Sequence, residues 1–530
     1  MLVRNATLAD GRQRDVRVRG ETIAAVGVGL DPREGERVVD GTGKRLLPGM
    51  VDVHVHFREP GDPHKETWAT GSRSAAAGGV TTVADQPNTA PPTVDGRAFD
   101  ETFEFAMDSL VDFGINGGVT ADWDPDSLFE RDLFALGEVF LADSTGNMGV
   151  EEGPFVEALD AAAEAGVRVT VHAEDADEFN VSARERDDAD AWSAYRAARA
   201  EVSAVRQACG LAAERGTRIH VAHTSTPRGI DVAAEAGMTC EVTPHHMLLS
   251  RRDVHDLGTH GRMNPPLRRE KRRQRVYRRV VEGPVDVVAT DHAPHTRAEK
   301  DAPIWDAPSG VPGVETALPL LLAEARAGNL TYERVRDLTA ANPARIFDIP
   351  RKGRIEEGAD ADLVLVDPAT THPIRGEDLH TACDWTPFEG WAGVFPELTM
   401  VRGTVVYERD PEDRPGGDSE RFAEPVGENV RTASRTDRPT DARGSGPAGR
   451  GTADPHEGDA AAGPSGRETT EPGDGDATGE SDESGATGEN DPAGEDGATD
   501  GADDDGADDA IDRAIRELVE KDLVSDDDRA

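Results

Sequence analysis

The sequence predicts an α/β fold: a (β/α)8 barrel of the TIM type, a small β-sandwich domain formed from both flanks, and an acidic tail. Three observations carry this reading. Eight short β-branched runs, each followed by a helical stretch, recur between residues 49 and 349. The flanks alternate polar and apolar residues without helical patterns, and apolar periodicity stops near residue 410.

The N-terminal flank, residues 1–48, carries the strand patterns DVRVRG and TIAAVGVG. The barrel region 49–349 follows with MVDVHVHF, GVTTVADQP, FGINGGVT, LGEVFLAD, VRVTVHAED, TRIHVAHTS, MTCEVTP and VDVVATDHAPH. Between these runs, GPFVEALDAAAEAG and EVSAVRQACGLAAERG repeat apolar residues at helical spacing and end at Gly, which suits a helix C-terminus. Residues 350–409 return to strand patterns in ADLVLVDP and TMVRGTVVYE, and pairing them with 1–48 makes one sandwich domain. Residues 410–530 are rich in Gly, Pro, Ala and acids, and beyond 410 there are 35 acids against 12 bases and one aromatic, Phe422. So little apolar surface cannot offset the entropy of ordering, which predicts a disordered tail. Within it, Ile511, Ile515, Leu518, Val519 and Leu523 predict a short amphipathic helix over 508–524.

Charge narrows the function classes. With 58 Lys and Arg against 104 Asp and Glu, the net charge of -46 disfavours nucleic acid and anionic membranes as partners. No apolar stretch approaches the length of a membrane span, and the N-terminus lacks a signal-peptide core. The three cysteines, Cys209, Cys240 and Cys383, are scattered and odd in number, so a reducing, cytoplasmic setting is expected. Only six of the 58 basic residues are Lys, a bias that fits a halophilic protein in high intracellular salt, where a Debye length of ~3 Å makes so large a charge tolerable.

The chemistry-bearing residues sit at strand ends. His54 and His56 are two apart on one strand and point to the same face, at the mouth where barrels of this kind hold their active sites. Three further strands end alike, with His172, with His220 and His223, and with Asp291, His292 and His295. Imidazoles and a carboxylate converging on one mouth are what a hydrolytic Zn2+ or similar ion requires.

HVHFREPG at 54–61, QPNT at 86–89, FLADSTGNM at 140–148, HAED at 172–175, HVAHTST at 220–226, TPHH at 243–246, MNPPLR at 263–268 and TDHAPH at 290–295 together resemble the dihydroorotases of the amidohydrolase superfamily. The resemblance spans residue 1 to about 408. It implies the reversible, metal-dependent cyclisation of N-carbamoyl-L-aspartate to dihydroorotate in pyrimidine biosynthesis. It also implies that His54, His56 and Asp291 hold one Zn2+, that His172 and His223 hold a second, and that Asp291 is the catalytic proton carrier. Arg58, Asn88 and His295 would bind the substrate carboxylate, Asn264 would read the pyrimidine edge, and Ser309 and Gly310 would close over the ring. His220, His245 and His246 are left to packing or the rim. Allantoinase and dihydropyrimidinase-like enzymes share these ligands, and a non-catalytic subunit is a further alternative. The basic run RREKRRQRVYRR at 268–279 reads as a solvated helix or as an interface for a neighbouring pyrimidine enzyme; a homo-oligomer is also compatible.

One position departs from the pattern. Related enzymes carry a carbamylated lysine where this chain has Glu138. Glutamate supplies an anion outright, but its carboxyl carbon lies three bonds, ~3.5 Å, nearer the backbone. Three arrangements follow, in order of preference: the fourth strand moves inward and Glu138 bridges two metals, Asp143 takes the role, or a single metal binds.

Overall fold

The computed structural model describes residues 1–142, 144 and 148–432; the expected helix at 508–524 lies outside the described residues. The chain opens with five strands, β1 (Leu2–Thr7), β2 (Gln13–Arg19), β3 (Thr22–Gly27), β4 (Val38–Asp40) and β5 (Arg45–Pro48). Eight more follow: β6 (Met50–Val55), β7 (Val80–Asp85), β8 (Asp112–Ile115), β9 (Leu136–Phe140), β10 (Val169–His172), β11 (Ile219–Val221), β12 (Thr239–Val242) and β13 (Val287–Val288).

Strands β6 to β8 and β9 to β13 form two parallel sheets in sequence order. Parallel bridges between Gly117 and Leu136, and between Val55 and His292, join the sheets at both ends, so the eight strands close into a barrel. Every residue of β6, β7, β9 and β10 is buried, as expected of strands covered on both faces. The two helical patterns fold as Glu152–Ala165, ending at left-handed Gly166, and Ala198–Glu214, with left-handed Gly216 two residues beyond. Gly49, between flank and barrel, has no room for a side chain: a Cβ there would lie 2.2 Å from the Thr81 side chain.

After the barrel come β14 (Leu363–Val366), β15 (His372–Pro373), β16 (Ala392–Gly393), β17 (Pro396–Val401), β18 (Thr404–Glu408) and β19 (Arg421–Phe422). The two flanks share a nine-stranded sheet in the order β19-β18-β17-β14-β5-β1-β2-β3, with β4 on β1. At its far end Thr22 bridges Asp360, just before the central β14, so the sheet doubles back around its own apolar core of residues such as Val16, Ile23, Leu363 and Met400. Lys352 ties this sheet to the barrel: its buried ammonium donates to Asp112 of β8 at 2.6 Å and to Asp362 at 2.5 Å, while Arg402 Nε donates to Asp112 at 3.0 Å.

Two expected boundaries need correction. The fold does not stop at 409: β19 pairs with the edge strand β18, Phe113 N donates to Glu428 O, and Val430 packs in a core cluster with Phe134. Composition misses this segment because polar contacts hold it more than apolar packing: Tyr407 Oη donates to Glu420 Oε1 at 2.7 Å, and Asn429 Nδ2 donates to Asp132 O at 3.2 Å. Residues 374–395, read as flank, instead pack Ile374, Trp385, Phe388 and Phe395 against Leu249, Met263 and Val311 of the barrel loops. The basic run forms the helix Glu270–Glu282, where Arg279 pairs with Asp231 at 2.6 Å and Arg273 with Glu270 at 2.7 Å.

Candidate metal centre and substrate pocket

β6 delivers the first two imidazoles. His54 Nδ1 donates to Glu241 Oε1 at 2.6 Å, which turns Nε2 toward the barrel mouth. There Nε2 lies 3.4 Å from Glu138 Oε2 and 3.6 Å from Asp291 Oδ1, buried and without a hydrogen-bond partner. His56 Nδ1 donates to Asn88 Oδ1 at 2.6 Å, and its Nε2 stands 3.1 Å from Asp291 Oδ1. His54, His56 and Asp291 thus present three ligand atoms within 4.8 Å of one another.

A second group shares His54. It adds Glu138 and His223 within the same 4.8 Å span. Glu138 Oε1 lies 2.5 Å from His223 Nε2 and 2.9 Å from His172 Nδ1, so its two oxygens face different imidazoles. His172 Nε2 stands 3.1 Å from Glu174, itself gripped by Arg196 at 2.6 Å. Glu138 reaches this far inward through a β-bulge: the β9 to β10 register slips between Val169 and Val171, opposite Gly137 and Glu138. Gly137 makes the approach possible, since a Cβ there would meet Thr170 O at 2.2 Å. Asp143 lies outside the described residues.

Electrostatics at the centre favour ionised acids. Burial pushes Glu138 upward, but His54 and His223 outweigh it and hold its carboxyl well below the usual range. Asp291 is likewise lowered: burial opposes, while the His56 hydrogen bond, His54 and His223 prevail. Burial opposes the charged form of His172 too, yet Glu138 and Glu174 raise it to about 9. Three residues of the mouth, Arg58, His223 and Asp291, take φ of 63°, 29° and 47°, the kind of local strain that a surrounding structure must hold in place.

A small pocket opens above these groups. His56, Glu138, His172, His223 and Asp291 form its floor, and Arg58, Asn88, Asn264, Ser309 and Gly310 line it as well. Arg58 is buried, its Nε has no hydrogen-bond partner, and its Nη2 is 3.4 Å from His295 Nε2. His295 is not among the lining residues; its Nε2 donates to Ser309 O at 3.0 Å, leaving Nδ1 without a partner. Asn264 is fixed between Trp192 Nε1, from which it accepts at 3.0 Å, and Ser144 Oγ at 2.9 Å. Gly310, at φ 133°, passes so close to Ala293 that a Cβ would lie 2.4 Å from its carbonyl oxygen.

A model of the amidohydrolase family matches residues 45–406. The chain belongs to the amidohydrolase family. It is similar to the dihydroorotase of Halobacterium salinarum, 64% identical over 77% of this chain and 97% of that protein, and to the dihydroorotase of Methanosarcina mazei, 43% identical over 73% and 88%. Among solved structures, the L-hydantoinase (dihydropyrimidinase) of Arthrobacter aurescens superposes with a TM-score of 0.75 at 28% identity, covering 81% of this chain and 98% of that one.

Amidohydrolases are typically metal-dependent, and the donor set of this member fits an ion: clustered imidazoles and carboxylates, with His54 Nε2 buried and unsatisfied. Two functional carboxylates escape sequence reading. Glu241 orients His54 and accepts from His220 Nε2 at 3.1 Å and from His223 N at 3.2 Å, and Glu174 holds His172. Both lie inside the motifs TCEVTP and HAED, and the signal available was their place on strands that carry or adjoin proposed ligands. His246 is a structural residue, donating to Pro265 O at 2.8 Å and accepting from Thr243 Oγ1 at 2.9 Å. Among the described residues no helix is long and apolar enough to cross a membrane.

Proposed function

We propose that this amidohydrolase is a dihydroorotase, which interconverts N-carbamoyl-L-aspartate and dihydroorotate. The observation that carries the reading is Arg58, a buried guanidinium whose Nε has no protein partner, set in the lining of the pocket above the metal groups in a chain 64% identical to a dihydroorotase. A substrate carboxylate satisfies that cation with charge-assisted hydrogen bonds. An uncharged ring leaves it unpaired.

We further propose two Zn2+ ions, of which one would be held by His54, His56 and Asp291 and one by His172 and His223, with Glu138 supplying a further carboxylate ligand. When bound, such ions polarise the amide carbonyl and lower the pKa of the attacking water. The protein supplies the rest. Glu241 aims His54, and Asn88 fixes His56 through the 2.6 Å hydrogen bond. Arg58 takes the carboxylate, with Asn88 and His295 beside it; burial, Arg58 and Lys300 hold His295 neutral, well below its usual range. Asn264 and the backbone of Ser309 and Gly310 set the ring plane. In hydrolysis Asp291 takes a proton from the attacking water and passes it to the departing ring nitrogen; in synthesis a protonated Asp291 runs the same transfers backwards. The setting is a salt-rich cytoplasm.

The test is turnover of dihydroorotate, allantoin and dihydrouracil by the purified, metal-loaded chain in high salt. Dihydroorotate alone is opened. Turnover of either other ring in preference, or of none, overturns the reading.

A further inference from the structure

Beyond its charge acting on His295, Lys300 has no part in the chemistry above. It ends the one-turn helix Arg297–Lys300, which Thr296 and Glu299 cap reciprocally, five residues beyond His295. Its side chain is fully buried, and its ammonium donates to three carbonyl oxygens, those of Arg262 at 2.8 Å, Pro308 at 2.8 Å and Gly310 at 3.0 Å. Those three bonds use every N–H that an ammonium has. Among the described residues no carboxylate shares an ion pair with it; burial, then the Arg262 guanidinium, press its pKa well below the usual range. A cation buried without a counter-charge is costly unless its donors are fully met, so the three carbonyls hold Lys300 as firmly as Lys300 holds them.

Of the three carbonyls, that of Gly310 belongs to a residue lining the pocket, and those of Pro308 and Arg262 belong to residues adjacent or hydrogen-bonded to the lining Ser309 and Gly310. Gly310 N donates to Arg262 O at 3.0 Å, Arg262 Nε donates to Ser309 Oγ at 3.1 Å, and His295 Nε2 donates to Ser309 O. Arg262 in turn lies over the Trp192 ring, 3.6 Å from its centre, and that tryptophan holds Asn264. Residue choice points the same way. The chain uses only six lysines among 58 basic residues, and here a compact ammonium meets three converging carbonyls where a planar guanidinium does not match them.

We infer that Lys300 is a positioning residue for the ring-closing reaction, its ammonium fixing the backbone of Ser309 and Gly310 against the substrate ring. The inference rests on the dihydroorotase reading. Removing the donors strands the carbonyls of Pro308 and Gly310, leaves that of Arg262 with the Gly310 N–H alone, and lets the loop relax, while Asp291 and the metal ligands on other strands stay in place. Binding therefore suffers more than chemistry.

The experiment uses the full-length, metal-loaded protein in high salt, with dihydroorotate as substrate. Lys300→Met raises KM about tenfold or more, leaves kcat within about threefold, and keeps the wild-type metal content. Lys300→Arg, which keeps the charge but not the geometry, shifts KM in the same direction. Wild-type constants in Lys300→Met, a wild-type KM in Lys300→Arg, or a collapse of kcat with metal loss each overturn the assignment. Should Lys300→Met not fold, Lys300→Gln is measured against the same criteria, and failure of both to fold makes Lys300 a plain core residue and overturns it as well. If the wild type does not open dihydroorotate, the functional reading has failed, and the Lys300 comparison is made on whichever of allantoin or dihydrouracil it does open.

Discussion

In the proposed reaction Arg58 serves the substrate and Glu138 the metal. Arg58→Met removes the carboxylate's partner without touching an imidazole, so kcat/KM for dihydroorotate falls at least about thirtyfold, the equivalent of ~2 kcal/mol of charged hydrogen bonding, with metal content unchanged. Steady-state kinetics with metal analysis check this, and unaltered kinetics would remove Arg58 from substrate binding. Glu138→Ala takes away the anion that faces His54 on one oxygen and His172 and His223 on the other. On the proposal of two ions, divalent cations a few ångströms apart would repel strongly, so the variant is expected to drop from two ions per chain to about one. Because the carboxylate needs no reaction with carbon dioxide, wild-type activity is also independent of bicarbonate. Retention of both ions by Glu138→Ala would move the bridge to another acid, Asp143 being the next in the chain.

At the scale of elements, the parallel barrel strands were legible because burial on both faces writes them as continuous apolar runs, and a polar residue ending such a run stands out. β9 shows the limit of that legibility. Its place in the chain is readable, but whether Glu138 reaches the centre depends on the bulge at Gly137, a backbone event set by the neighbouring β10. β19 shows another: a two-residue strand in a Gly- and acid-rich stretch carries no periodicity. A chain ending at 409 loses β19, the Glu420 contacts and the buried Asn429 and Val430, whereas one ending at 432 keeps every contact described above. Thermal unfolding in high salt therefore shows a Tm several degrees lower for the shorter chain than for the longer. Equal values would mean that the segment adds nothing to the fold.

For the whole molecule, stability draws on half-buried charges that join one part of the fold to another. His380 is one such joint: its Nδ1 lies 2.9 Å from Glu315, just before the barrel helix Ala317–Arg326, and its Nε2 lies 2.8 Å from Glu420 in the C-terminal segment. Burial opposes its charged form, but Glu315 and Glu420 prevail and raise it from 6.5 to about 10. A pKa raised on folding stabilises fully below 6.5 and is lost as pH climbs through about 10. His380→Gln is accordingly less stable than wild type by about 2 kcal/mol near neutral pH. The gap narrows as pH climbs through about 10. Denaturant unfolding of both proteins across that range checks it, and a gap that did not change with pH would show the loss to be one of packing.

What the sequence determined by itself was the set of chemical groups and their order along the chain. The paired imidazoles of β6, the acid and histidines of TDHAPH and the arginine two residues beyond His56 are local facts, because strand alternation and strand ends are written in neighbouring residues. Only the tertiary structure decided which groups meet. Glu241 beneath His54, Arg196 on Glu174, the inward turn of Glu138 onto His223 and the Arg262 carbonyl on Lys300 join residues far apart in the chain. The physical reason is one of range: side-chain direction follows from a few adjacent dihedrals, whereas the partner of a buried polar atom is chosen by how barrel strands and loops distant in sequence pack against one another.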